Sequence, residues 1–208
     1  MIKKKDKHKG EIMRFKVILP AIIAFLIIPT LALAISQELV DRFEFLLEQP
    51  EWDMWDDGTF DDADLIEGFD IIYANAVAEE DDIMVRRVMW AMGVTGLTEF
   101  VDTLTDEMEN EPIVVCYALG KIPSDDGVYA LIEELDNDDE QVRDAAAWGL
   151  GSIPYTDEMD ESLADAIEAL YLRVGEEEED WVLDTVEAAI TLLETGIITD
   201  EGFIEEPE

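Results

Sequence analysis

Apolar residues recur every three to four positions along most of this chain, a spacing that puts them on one face of a helix. Leu39, Phe43, Leu46 and Leu47 predict a helix over residues 36–48, with Ser36 as its N-cap. Leu65, Ile66, Phe69, Ile72, Tyr73 and Ala76 predict a second over 63–79. The same reasoning predicts helices over 81–92, 97–108, 112–119, 128–135, 140–150, 162–174 and 181–194. Pro112 suits a first helical turn. No alternating run bounded by a hairpin turn is present, so strands are not expected. Gly93, Gly96, Gly120, Gly127, Gly151 and Gly175, with Pro123 and Pro154, read as helix stops and interhelical turns.

One phrase repeats. Val142-Arg143-Asp144-Ala145-Ala146-Ala147-Trp148-Gly149-Leu150-Gly151 is a small-residue helix closing on glycine. Looser copies span Met84 to Gly93 and Glu111 to Gly120, so the closing glycines lie 27 and 31 residues apart. A period in this range marks stacked helical pairs, none of which buries its apolar face alone. Residues 111–154 resemble the HEAT-repeat family, most of all its short-period members related to phycobilisome lyases. The matching parts are the first helix around Leu131-Ile132-Glu133-Glu134-Leu135, the acidic turn Asp136 to Asp139, and the second helix Val142 to Gly151. The pattern is departed from at Glu111-Pro112 and in the acidic stretch Glu176 to Asp180. The resemblance implies an all-α, HEAT-like solenoid of about four helical pairs over residues 63–195. It also implies that Arg143 bridges adjacent interrepeat turns. Nothing in the chain marks a chromophore site, so a lyase-like enzyme is only a minor alternative.

The ends differ from the middle. Lys3, Lys4, Lys5, Lys7, Lys9, Arg14 and Lys16 precede an apolar run from Val17 to Leu31 and then Ala32-Leu33-Ala34. Residues 1–34 thus read as a secretory signal peptide, complete even from Met13. The alternative is a retained anchor through residues 17–35, a length at the short end for a span and broken by Pro20 and Pro29. An extracytoplasmic location follows. Residues 35–62 read as a capping helix and acidic loop, and residues 196–208 as an acidic tail.

Charge then narrows the partners. The chain carries 53 acidic and 13 basic residues, a formal net charge of −40, and the leader holds most of the basic ones. Such a field repels nucleic acid and anionic lipid, and it attracts cations and basic proteins. Adaptation to high salt, where screening removes the self-repulsion, is the simplest reading of the acidity. Disorder is not, because 49% of the residues are apolar. The only histidine, His8, lies in the leader, so the single cysteine, Cys116, has no imidazole partner for catalysis and reads as a buried thiol.

Candidate sites are few. Trp90, Tyr117 and Trp148 each lie three residues before a closing glycine, and equivalent positions align in a solenoid. They fall at the boundary between core and solvent and read either as packing or as anchors for a protein partner. Arg86 and Arg87 could take an acidic group of that partner, or neutralise the turn Glu79 to Asp82. Asp82/Arg86 and Asp139/Arg143 stand four apart, as helix-stabilising ion pairs do. Asp53, Asp57, Asp61 and Asp64 match positions 1, 5, 9 and 12 of a calcium loop, but Trp55 stands where position 3 needs an oxygen. No cofactor is expected unless that loop binds calcium. Asp136 to Glu140 and Glu176 to Asp180 read as solvated charge runs. The sequence therefore points to a non-enzymatic exported scaffold that docks a protein or peptide, with a cation-binding envelope protein as the alternative.

Overall fold

The computed structural model describes Leu47 and residues 60–195, and these residues form helices without strands. α1 (Asp62–Glu79) and α2 (Asp82–Thr95) make the first pair. α3 (Val101–Asp106), entered through the 3-10 turn Thr98–Phe100, pairs with α4 (Pro112–Leu119). α5 (Asp125–Glu134) pairs with α6 (Glu140–Ser152), and α7 (Asp160–Val174) with α8 (Asp180–Thr195). The leader, the helix expected over 36–48 apart from buried, helical Leu47, the loop over 49–59 and the tail lie outside the described residues. No described helix is long and apolar enough to cross a membrane.

The helix starts are set by local chemistry. Asp61, Asp81, Ser124 and Asp139 each accept a bond from a backbone N–H of the first turn, at 2.9, 3.1, 3.3 and 2.9 Å. Each such cap contributes about 1 kcal/mol, and the acidic ones also favour the positive end of the helix dipole. α1 stops where Glu80 turns left-handed (φ 58°), with the Asp81 N–H donating to the Ala76 carbonyl at 2.9 Å. Glycine is the usual residue at such a stop.

The helices form two rows. α2, α4, α6 and α8 pack side by side, and each first helix lies against its own partner, with α3, α5 and α7 also in sequence contact. Phe69 of α1 meets Phe100 edge to face, at 5.9 Å between ring centroids. The core lies between the rows. Ile72, Met89, Leu104, Leu119, Leu131 and Leu150 are all essentially fully buried. Each such side chain contributes about 1.5–3 kcal/mol by leaving water.

Gly120 ends α4 as expected, but the closing glycines Gly93 and Gly151 are not helix stops. α2 continues through Gly93 to Thr95 and ends on Gly96 (φ 69°), while α6 continues through Gly149 and Gly151 to Ser152. Their role is close approach between second helices. A Cβ on Gly93 would stand 2.6 Å from the Ala118 Cα, one on Gly120 2.7 Å from the Gly149 Cα, and one on Gly151 3.0 Å from the Ala189 Cα. Backbone meets backbone at all three joints, so a side chain has no room.

Candidate functional site

These three contacts share one offset. Each glycine meets the residue two positions before its own equivalent in the next helix. The offset staggers equivalent positions by about two residues along the row, close enough for the rings of Trp90, Tyr117 and Trp148 to meet, and the same count gives Ala188 the equivalent place in α8. Trp90 and Tyr117 lie edge to face at 6.4 Å and 63°, and Tyr117 and Trp148 at 4.9 Å and 74°. Such pairs add about 0.5–1.5 kcal/mol beyond their area burial. All three rings are half-buried, so each packs on its neighbour and keeps an open part.

Lys121 completes the site. Its Nζ lies 4.9 Å from the centroid of Trp90 and 5.5 Å from that of Trp148, so one ammonium spans the ladder over both indoles. Lys121 makes no ion pair among the described residues. Partial burial lowers its pKa, because a charge is less stable away from water. Burial, and then the charge of Asp144, raise the pKa of the Tyr117 hydroxyl. The sequence reading missed Lys121. The available signal was its place four residues after Tyr117, one turn along the same face.

The arginines pair differently from the sequence expectation. Arg86 donates from Nε to Glu111 Oε2 at 2.7 Å, so its ion pair crosses to the turn before α4 and does not go to Asp82. Arg87 is half-buried and makes no ion pair among the described residues. Asp139 does not pair with Arg143, because its carboxylate caps α6 by accepting from the Gln141 N–H. Arg143 instead grips Glu177 through Nε and Nη2, both at 2.9 Å, and donates to the Asn137 carbonyl at 2.9 Å. It thereby joins the turn before α6 to the turn before α8.

Glu177 also corrects the view of Glu176 to Asp180 as a purely solvated run. Its side chain has no exposure and accepts from Arg143, from Arg173 Nε at 2.9 Å, and from the backbone N–H groups of Glu178 and Glu179 at 3.1 and 3.0 Å. The Arg143 bond, foremost, holds its carboxyl down at about 2.

Of the calcium-loop residues, Asp53 and Asp57 lie outside the described residues, whereas Asp61 is the N-cap of α1 and its carboxylate accepts from the Asp64 N–H. Among the described residues no three potential ligands gather into a metal site. Cys116 is fully buried and its thiol is pushed up to about 12, chiefly by burial, which leaves it unreactive at neutral pH. The described surface therefore offers an aromatic shelf with a fixed cation. That arrangement suits binding.

No curated protein matches the chain. The family model for HEAT repeats matches residues 97–191, from the 3-10 turn before α3 into the last turns of α8. Residues 97–191, just under half of the chain, thus carry the HEAT-repeat pattern.

Proposed function

We propose that the second-helix row is a docking surface for a protein segment, with Trp90, Tyr117 and Trp148 as its anchors, and that the chain is a non-enzymatic scaffold working outside the cytoplasm. The aromatic ladder carries this reading. Three half-buried rings in contact, under a shared ammonium, form a rigid apolar shelf with a polar edge. Tyr and Trp anchors of this kind supply large contact area at low entropic cost. HEAT repeats generally mediate protein–protein interaction, which supports the reading. Export rests on the basic and apolar leader with its small-residue cleavage pattern.

The test is Trp90→Ala with Trp148→Ala in one chain. Helical content by circular dichroism stays unchanged, because both rings are at the rim of the core. Capture of the envelope-fraction partner at high salt is lost. A folded double variant that still captures the same partner would overturn the reading.

A further inference from the structure

Taken as a whole, a chain of net charge −40 draws cations and basic proteins. The aromatic ladder has the opposite local character. The charge held over its rings is the Lys121 ammonium, 4.9 Å from the Trp90 centroid and 5.5 Å from that of Trp148. An ammonium carries three N–H donors and no acceptor. Among the described residues Lys121 Nζ has neither a hydrogen bond nor an ion pair. Burial alone moves its pKa, and no carboxylate charge offsets that shift.

The position of Lys121 follows from where α4 ends. α2 and α6 run on to Thr95 and Ser152, but α4 stops at Leu119, and the Lys121 N–H closes a final turn onto the Ala118 carbonyl at 3.1 Å. One turn past the other two rings the sequence has Val94 and Ser152, so Lys121 is the only charge at that position of the three repeats. Arg87, three residues before Trp90, is half-buried and makes no ion pair among the described residues. Asp144, whose charge acts on Tyr117, is already engaged, since it accepts from the Thr185 hydroxyl of α8 at 2.6 Å.

A cationic side chain from a partner finds no place on this shelf. Lys121 occupies the site over the indoles that it would take, and like charges at that range repel. A carboxylate, by contrast, meets an ammonium with donors to spare, and apolar side chains meet the open parts of three rings. We infer that the docking segment is acidic: an extended stretch of a partner protein that lays apolar side chains on Trp90, Tyr117 and Trp148 and sets an aspartate or glutamate carboxylate on Lys121 Nζ. The inference rests on the docking reading and names the partner's chemistry. It carries an unusual salt response. The acidic body repels such a segment at long range, and that repulsion dies away beyond about 10 Å at 0.1 M salt and beyond about 3 Å at 1 M. The Lys121 contact is short and partly buried, so it is screened much less. Salt therefore strengthens the binding of an acidic segment and weakens that of a basic one.

The probes are peptides of about 12 residues, acetylated at one end and amidated at the other so that only side chains carry charge. Three sets vary leucine, isoleucine and phenylalanine at alternate positions and carry aspartate, asparagine or lysine at the two central ones. Each set is titrated against the full chain at about 0.1 M and about 1 M sodium chloride. At the higher salt the aspartate set is expected to bind about tenfold more tightly than the asparagine set, the lower end for a hydrogen bond to a charged group. Its affinity rises between the two salt levels while that of the lysine set falls. Lys121 is the sole lysine of residues 17–208, so a carbodiimide that joins amine to carboxylate without a spacer is expected to link the aspartate peptides to that residue. Lys121→Met removes the tenfold preference and Lys121→Arg keeps it, both with the helical content of the wild type by circular dichroism. Equal affinity of the aspartate and asparagine sets, a lysine set that binds best at high salt, or a preference that survives Lys121→Met would overturn the inference. The two proposals fail differently. Equal binding of all three sets that is lost in the Trp90/Trp148 double variant leaves docking standing and removes the acidic assignment. Absence of binding by every set removes both.

Discussion

At the first joint of the second-helix row, between α2 and α4, Gly93 lies against Ala118, Trp90 lies against Tyr117, and Arg86 reaches Glu111. At the last joint, between α6 and α8, Gly151 lies against Ala189, Ala188 stands in the ladder position, and Arg143 holds Glu177. The backbone contact is alike and the finish is not. The Arg86 and Glu111 side chains are 53% and 20% exposed, whereas those of Arg143 and Glu177 are 11% and 0% exposed. Register explains the difference. Arg143 is four residues after its N-cap Asp139, and Arg86 is five after Asp81, a rotation of about 100° around the helix. One arginine therefore enters the interrepeat turn and the other lies on the surface. The lesson is that a solenoid need not close every joint in the same way. Here a charge clasp locks the end that lacks aromatic packing, and the aromatic end keeps its rings partly open.

Removing the clasp should show the contrast most strongly. Glu177→Ala leaves the covered Arg143 guanidinium without a carboxylate and Arg173 with only Asp136, at 3.5 Å, and an expected loss of about 3 kcal/mol is the lower end for a broken buried pair. Urea unfolding measures it, and a loss no larger than that of Arg86→Ala would erase the distinction between the joints. Next comes the backbone contact that both joints share. Gly93→Ala should cost about 2 kcal/mol through overpacking, net of the better helix propensity of alanine, and Gly151→Ala less, as its 3.0 Å approach is looser than 2.6 Å.

Acid provides a finer probe. The Glu177 carboxyl is depressed in the fold to about 2, so its stabilisation is full above its ordinary range and is lost as pH falls through about 2. The stability difference between the wild type and Glu177→Gln should therefore shrink steadily as pH falls from about 5 to about 2, as followed by thermal unfolding. A constant difference across that window would mean that the clasp does not depend on the ionised carboxylate. Arg86→Ala should have the smallest effect, within the scatter of a thermal scan at 0.5 M salt, because exposed ion pairs are screened and weak.

Much of the fold was legible in the sequence. The period of 3.6 located every described α-helix, but α5 begins at Asp125, three residues before the expected 128, behind a Ser124 cap that the apolar spacing did not mark. The short 3-10 entry at Thr98–Phe100 was not distinguishable from the start of one longer helix, since both place Phe100, Val101 and Leu104 toward the core. The alignment of Trp90, Tyr117 and Trp148 followed from the repeat. The placement of Lys121 between two indoles did not, because it depends on how far each helix is offset from the next. Gly96, Gly120 and Gly175 end helices as expected, whereas Gly93 and Gly151 were misread for a related reason. A glycine inside a helix looks like a weak point until a neighbouring backbone is known to need its space.

The arginines mark the same boundary. Asp82/Arg86 and Asp139/Arg143 have the spacing of local ion pairs, yet the observed partners, Glu111 and Glu177, are 25 and 34 residues onward. Within Glu176-Glu177-Glu178-Glu179-Asp180, only Glu177 is buried, and five neighbouring acids give no local reason to choose it. What the sequence by itself determined is what acts over one or two turns: which segments are helices, where they start, which faces are apolar, and that they repeat. What only the tertiary structure decided is which charges become buried partners and how much of each ring stays open. Those depend on the distance and offset between stacked helices. A displacement of one residue along that row turns a side chain by about 100°, enough to exchange core for solvent.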